Sequence, residues 1–298
     1  MVVVAGEALP PASDTVTVAI DVESVGEVER SGMLLPDPGS DRRVDPPAPL
    51  ICATGDVSRD GVMVRVLGPV EVTGWLEPPN RRVVTELACF LALHPDRNMT
   101  GEELRAALWS GDLGTSEASA KSLRNAISML RKALGNDLVP EAQRGSGYRL
   151  AAGVACDWTM FSDLVASTQP DETDRLRQAL SLVRGAPFEG VAPDTFTWAW
   201  TELFVSRMEV AIVSAAKRLG ELALVDNDIE LSVWAVLQGL SASPYDRALW
   251  SAYLNASAQS GRDALERSWT SALAVLGSDS QGLAQVVEEL RAATGFVS

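Results

Sequence analysis

The chain has 298 residues, 46% of them hydrophobic, and a formal net charge of −15. That length admits two domains of ordinary size. The lack of any 18-residue apolar run excludes a membrane-spanning helix of the usual kind from this sequence. The charge is unevenly placed: residues 1–61 carry −7, residues 62–150 carry +1 and residues 151–298 carry −9. The middle section is therefore the part best suited to a polyanionic partner, because acidic surface repels phosphate.

Residues 1–61 read as an acidic, Pro-rich extension. Val16, Val18, Ile20 and Val22 alternate as a strand does, and Val28 with Met33–Leu35 offers a second strand for a hairpin. Met1–Val4 is apolar but has no basic leader, so no secretory signal is expected. Cys52, Cys89 and Cys156 are odd in number and far apart, which fits a reduced, cytoplasmic protein better than a disulfide framework.

Val62–Val72 reads as two short strands around Leu67-Gly68-Pro69. Arg81–Leu93 has helical spacing at Val84, Leu87, Ala88 and Leu91, and His94-Pro95 ends it. Thr100 and Glu103 form a capping box that opens a second helix with Leu104, Ala107, Leu108 and Trp109. A third helix follows, with Leu123, Ile127, Leu130 and Leu134 on one stripe and Ala120 beside them. Its other face carries Lys121, Arg124, Asn125, Ser128, Arg131 and Lys132, and Gly135-Asn136 is its stop signal. Leu138-Val139 and Tyr148–Leu150 then read as two strands flanking a turn-rich tip that carries Arg144.

Three helices followed by a hairpin, the third helix having a polar and basic face, is the pattern of a winged helix. The third helix suits the major groove and the hairpin suits the phosphate backbone. The phrases SLRNAISMLRKALG and GSGYRL resemble the recognition helix and wing of OmpR/PhoB-type winged helices. More narrowly, they resemble the version found in the antibiotic-regulatory-protein (SARP) family, and L-G-P-V-E-V at Leu67–Val72 is similar to the opening of that version. The resemblance implies double-stranded DNA as ligand, with Lys121, Arg124, Asn125, Ser128, Arg131, Lys132 and Arg144 at the interface. Arg pairs best with guanine and Asn with adenine, each through two hydrogen bonds.

Beyond Leu150 the pattern is helical throughout. Asp157 is expected to cap a helix with Trp158, Phe161, Leu164 and Val165. Asp171–Val183 forms the next, and Gly185–Gly190 breaks the pattern. Trp198–Val225 reads as one long helix with a stripe of Trp200, Leu203, Val210, Val213, Leu219 and Leu222. Four more follow, near 229–240, 245–258, 263–276 and 281–293. Trp234 and Trp269 lie 35 positions apart in corresponding helices, a spacing suited to tetratricopeptide-like hairpins. Trp158, Trp198, Trp200, Trp234, Trp250 and Trp269 read as core. ALSLVRGAPFEGV, SPYDRALWSAYLNA and SGRDALERSWTSAL resemble the bacterial transcriptional activator domain.

The expected fold is thus mainly α: a winged helix-turn-helix domain at 62–150 followed by an all-α, tetratricopeptide-like domain at 151–298. The function this implies is DNA-binding transcriptional regulation, with RNA polymerase or a regulatory protein as partner and a homodimer on tandem half-sites. The alternative is a protein–protein interaction module whose winged helix no longer binds DNA, as in the cytoplasmic part of a larger signalling protein. Met129, the acidic surroundings and the neutral middle section favour it. No enzyme activity, cofactor or metal is expected. His94 is the only histidine, and Gly145-Ser146-Gly147 lacks the Gly-Lys-Ser/Thr ending of a phosphate loop.

Overall fold

The computed structural model describes residues 61–109, 117–141, 147–192 and 194–277. The extension at 1–60, the wing tip with Arg144 and the helix expected near 281–293 lie outside these residues.

The amino-terminal module opens with β1 (Val62–Arg65) and β2 (Glu71–Thr73), paired antiparallel with Val64 opposite Val72. Helices α1 (Arg82–Ala92), α2 (Gly101–Leu108) and α3 (Glu117–Leu134) follow and pack on one another. The Thr100 capping box forms as expected. Thr100 Oγ1 accepts from the Glu103 N–H at 3.2 Å, and Glu103 Oε2 accepts from the Thr100 N–H at 2.7 Å.

The sheet's third strand was not legible in the sequence. It is β3 (Val154–Cys156), past the third helix and past residue 150, and it pairs parallel with β1 to give the order β2-β1-β3. The hairpin expected over Leu138–Val139 and Tyr148–Leu150 also differs. Among the described residues the backbone bond that joins the two sides runs from the Ala151 N–H, just past the second stretch, to the Leu138 carbonyl at 2.9 Å. Tyr148 pairs instead with Met99, at 2.7 and 2.8 Å, which ties the base of the wing to the start of α2. Gly147 makes this possible: its φ is +73°, and a Cβ there would lie 2.8 Å from the Met99 carbonyl oxygen.

The helical module contains α4 (Asp157–Ala166), α5 (Glu172–Ser181), α6 (Thr197–Thr201), α7 (Phe204–Val225), α8 (Ile229–Ala242), α9 (Arg247–Gln259) and α10 (Arg262–Leu276). Successive members of α7–α10 pack on each other, joined by loops of a few residues, in tetratricopeptide-like fashion. Asp228 and Asp246 cap α8 and α9 through the N–H groups of Leu231 and Leu249. Gly239 lets α7, α8 and α9 approach closely, since a Cβ there would meet Ala216 Cβ at 2.7 Å and Leu249 Cδ1 at 2.9 Å.

The single long helix expected over Trp198–Val225 is two. Leu203 takes a left-handed φ of +60° and breaks it. The break resets the helical phase, so Leu203 and Val210 are exposed, and so is Trp200. The stripe actually buried on α7 is Phe204, Met208, Ile212, Ala215 and Leu219. Trp198, Trp234 and Trp250 are core, as expected, and Trp158 and Trp269 are partly buried.

The two modules share one hydrophobic core. Helix α1 is buried nearly all round because α3 packs against it and Trp198 of α6 seats on its Phe90. Trp198 is fully buried and meets Phe90, Phe188 and Phe204 edge-on, with ring centroids 4.9–6.0 Å apart.

Candidate nucleic-acid interface

Helix α3 buries Leu123, Ala126, Ile127, Leu130, Ala133 and Leu134 against α1 and α2. Its opposite face is therefore turned outward by helical geometry alone. Lys121, Arg124, Asn125 and Ser128 are exposed there, at helical spacings of three and four, and make no side-chain hydrogen bond or ion pair with any other described residue.

Two of the expected contact residues are committed elsewhere. Arg131 is partly buried, and its guanidinium donates to the carbonyls of Val139 at 3.1 Å and Pro140 at 3.3 Å. It fastens the turn after α3, so it is not free to read a base. Lys132 is exposed but ion-paired with Glu77 at 2.9 Å. Glu77 lies in the β2–α1 loop, and the same loop donates the Leu76 N–H to the Ala133 carbonyl at 2.8 Å. Met129 does not face the groove side: it lines a small recess of about 160 Å³ with Arg81, Val83, Trp109, Ser122 and Ala126.

The hydrogen bonds between the modules were largely missed by sequence reasoning. Asp157 does not cap α4, whose N-cap is Cys156. Its carboxylate is buried and accepts from the N–H groups of Val66 (2.9 and 3.0 Å) and Leu67 (3.0 Å) in the amino-terminal module. Burial raises its pKa despite these bonds. Glu86 of α1 is the reciprocal case: it is buried, raised by desolvation, and accepts from the Phe196 N–H at 2.9 Å. The signal for Glu86 was legible, a lone carboxylate within the apolar run Val83–Ala92. The segment from Arg184 to Gly190, around the expected helix break, adds backbone bonds to the connection between β1 and β2. Arg184 and Phe188 donate to Leu67 and Val66 at 2.7 and 3.0 Å, and Glu189 donates to Gly68 at 3.1 Å.

His94 also sits at this junction. Its Nδ1 lies 2.7 Å from the Phe90 carbonyl and its Nε2 lies 3.1 Å from Glu202 Oε2. Cys89 and Cys156 are buried thiols, pushed up by desolvation, Cys156 to about 11. Among the described residues no group of three His, Cys, Asp or Glu side chains could hold a metal ion, and no helix is long and apolar enough to cross a membrane.

Residues 156–277 match the family described as Bacterial transcriptional activator domain. That match covers the helical module, less than half of the chain. The fold is mainly α, a small sheet with three helices followed by a helical module. A structure of Mycobacterium tuberculosis EmbR in complex with a low-affinity phosphopeptide is similar, with a TM-score of 0.53 at 21% identity. The match covers 78% of this chain and 65% of that one, so this chain aligns with just under two thirds of the EmbR chain. No curated protein matches the chain significantly. The helical module presents an open groove of about 550 Å³ along α7, lined among others by Glu209, Val210, Lys217 and Asp246.

Proposed function

We propose that this regulator-type chain binds double-stranded DNA, with α3 in the major groove and the wing along the backbone. The observation that carries this reading is the uncommitted outer face of α3. Lys121, Arg124, Asn125 and Ser128 stand exposed, while the apolar face of the same helix is locked into the core. Arg124 is suited to guanine and Asn125 to adenine. Lys121 and Ser128 are suited to phosphate or to base edges, Lys132 to phosphate once released from Glu77, and Arg144 to the backbone beside the wing. Arg131 holds the turn and supports the face indirectly. A homodimer on tandem half-sites would offset the modest charge of one module. RNA polymerase or a regulatory protein is the expected partner of the activator domain. The test is binding of the full chain to a selected DNA site, with Arg124→Ala and Asn125→Ala as the diagnostic variants. Loss of discrimination at single base pairs supports the reading, and unchanged affinity in both removes α3 from the interface.

One observation favours a second reading, a protein interaction module without DNA binding. Arg131 and Lys132 are both spent on intramolecular contacts, which leaves Lys121 and Arg124 as the uncommitted cations of α3 in a chain of net charge −15. In that case the groove along α7 is the face on which to seek a partner.

A further inference from the structure

We infer that His94 is a proton-operated latch between the winged helix and the activator domain. The inference is independent of DNA binding. His94 follows the C-terminal end of α1 and is almost enclosed, its side chain 10% exposed, between the rings of Phe90 and Phe204, with centroids at 4.4 and 5.3 Å. Both of its ring nitrogens face acceptors: the Phe90 carbonyl at 2.7 Å and the Glu202 carboxylate at 3.1 Å. A neutral imidazole has one N–H and cannot donate to both. The imidazolium donates to both, and a cation is also favoured at the C-terminal end of a helix.

The shorter contact is to the Phe90 carbonyl, which can never donate. Deprotonation therefore leaves the proton on Nδ1 and turns the Nε2 lone pair toward the Glu202 carboxylate. Two lone pairs then oppose each other, and the contact between modules is lost. Glu202 lies at the break between α6 and α7, beside the left-handed Leu203. The other charged groups nearby do not replace Glu202. Arg207 of α7 lies over the far ring, Phe204, at 4.4 Å and donates to the backbone carbonyls of Glu202 and Leu203. Asp96 and Arg97 follow His94 in sequence, and Arg97 is ion-paired with Glu103 of α2. Glu86 of α1 is taken by the Phe196 N–H.

The sign follows from the chemistry. The closed latch needs a proton on both ring nitrogens, so its contribution is present when the imidazole is cationic and lost when it is neutral. His94 is the only histidine, so its ring gives a single, unambiguous signal in nitrogen-resolved NMR of the full chain. The expected result is both nitrogens protonated at pH 5.5 and the Nδ1–H tautomer at pH 8. That tautomer is the reverse of the one free histidine prefers. An Nε2–H tautomer at pH 8 would mean that the Glu202 contact survives deprotonation, and would overturn the latch. A double-mutant cycle of His94→Gln and Glu202→Gln gives the second reading. We expect the pair to couple at least fivefold in the unfolding equilibrium at pH 5.5 and less than twofold at pH 8. Equal coupling at the two values, or none at either, also overturns it. If the His94 variant does not fold, the tautomer measurement on the unaltered chain still decides.

Discussion

Asp157→Ala removes the acceptor for two buried backbone donors, the N–H groups of Val66 and Leu67. Neither donor gains another partner, because both residues are fully buried. An orphaned buried donor costs about 1–3 kcal/mol, so two cost roughly 2–6 kcal/mol. Removing a desolvated carboxylate returns part of this, which leaves a net loss of about 2–4 kcal/mol. For a unit of this size each kcal/mol lowers Tm by roughly 2–4 °C, so a fall of roughly 5–15 °C is expected. The assay is urea and thermal unfolding followed by both tryptophan fluorescence and circular dichroism. Most of the tryptophans report on the helical module and its junction, whereas circular dichroism averages over both modules. The two probes should coincide in the unaltered chain and separate in the variant, because Asp157 ties β1 to α4. Coincident transitions with a loss below about 0.5 kcal/mol would refute the claim that this carboxylate joins the modules, since such a loss is ordinary for a surface substitution.

Other outcomes follow from the same geometry. Arg124→Ala should lower specific DNA affinity by about 1–3 kcal/mol without changing Tm, read by fluorescence anisotropy beside a thermal melt. Arg131→Ala should do the opposite: a stability loss of about 1–2 kcal/mol from the freed Val139 and Pro140 carbonyls, and a smaller effect on DNA. Gly147→Ala should cost about 1–3 kcal/mol, because its φ is +73° and the new Cβ would meet the Met99 carbonyl. Asp157 and Glu86 are both raised by burial, so the folded state holds their protons longer than the unfolded chain does. Their contribution to stability is fully present below the unfolded carboxylate range and falls as pH rises through the raised values. Asp157→Asn should therefore be most destabilised relative to the unaltered chain near pH 4 and least near pH 7. A deficit that grows with pH in urea titrations would reverse the sign.

Local signals carried the amino-terminal module well. The capping box at Thr100, the apolar stripe of α3 and the stop at Gly135 all depend on neighbours a few residues away, and each stands as the sequence suggests. The outward placement of Lys121, Arg124, Asn125 and Ser128 follows from that stripe. The failures involve distant partners. β3 is three residues long and is a strand only because β1 lies beside it. The break before α7 has no Gly or Pro to announce it: Phe196 and Leu203 occupy left-handed positions that such residues seldom adopt, and the Phe196 N–H is bonded to Glu86 of α1. Spacing alone also could not show that the Arg131 guanidinium is bound to carbonyls eight and nine residues on.

The central claim is that the outer face of α3 reads DNA. Fluorescence anisotropy of the full chain against a library of genomic fragments, repeated from low to moderate salt, tests it most directly. The account predicts a selected site whose log affinity falls by roughly 0.9 per phosphate contact as log salt rises, and whose preference among bases relaxes in Arg124→Ala. Absence of binding even at low salt would contradict it and leave the interaction module as the standing reading.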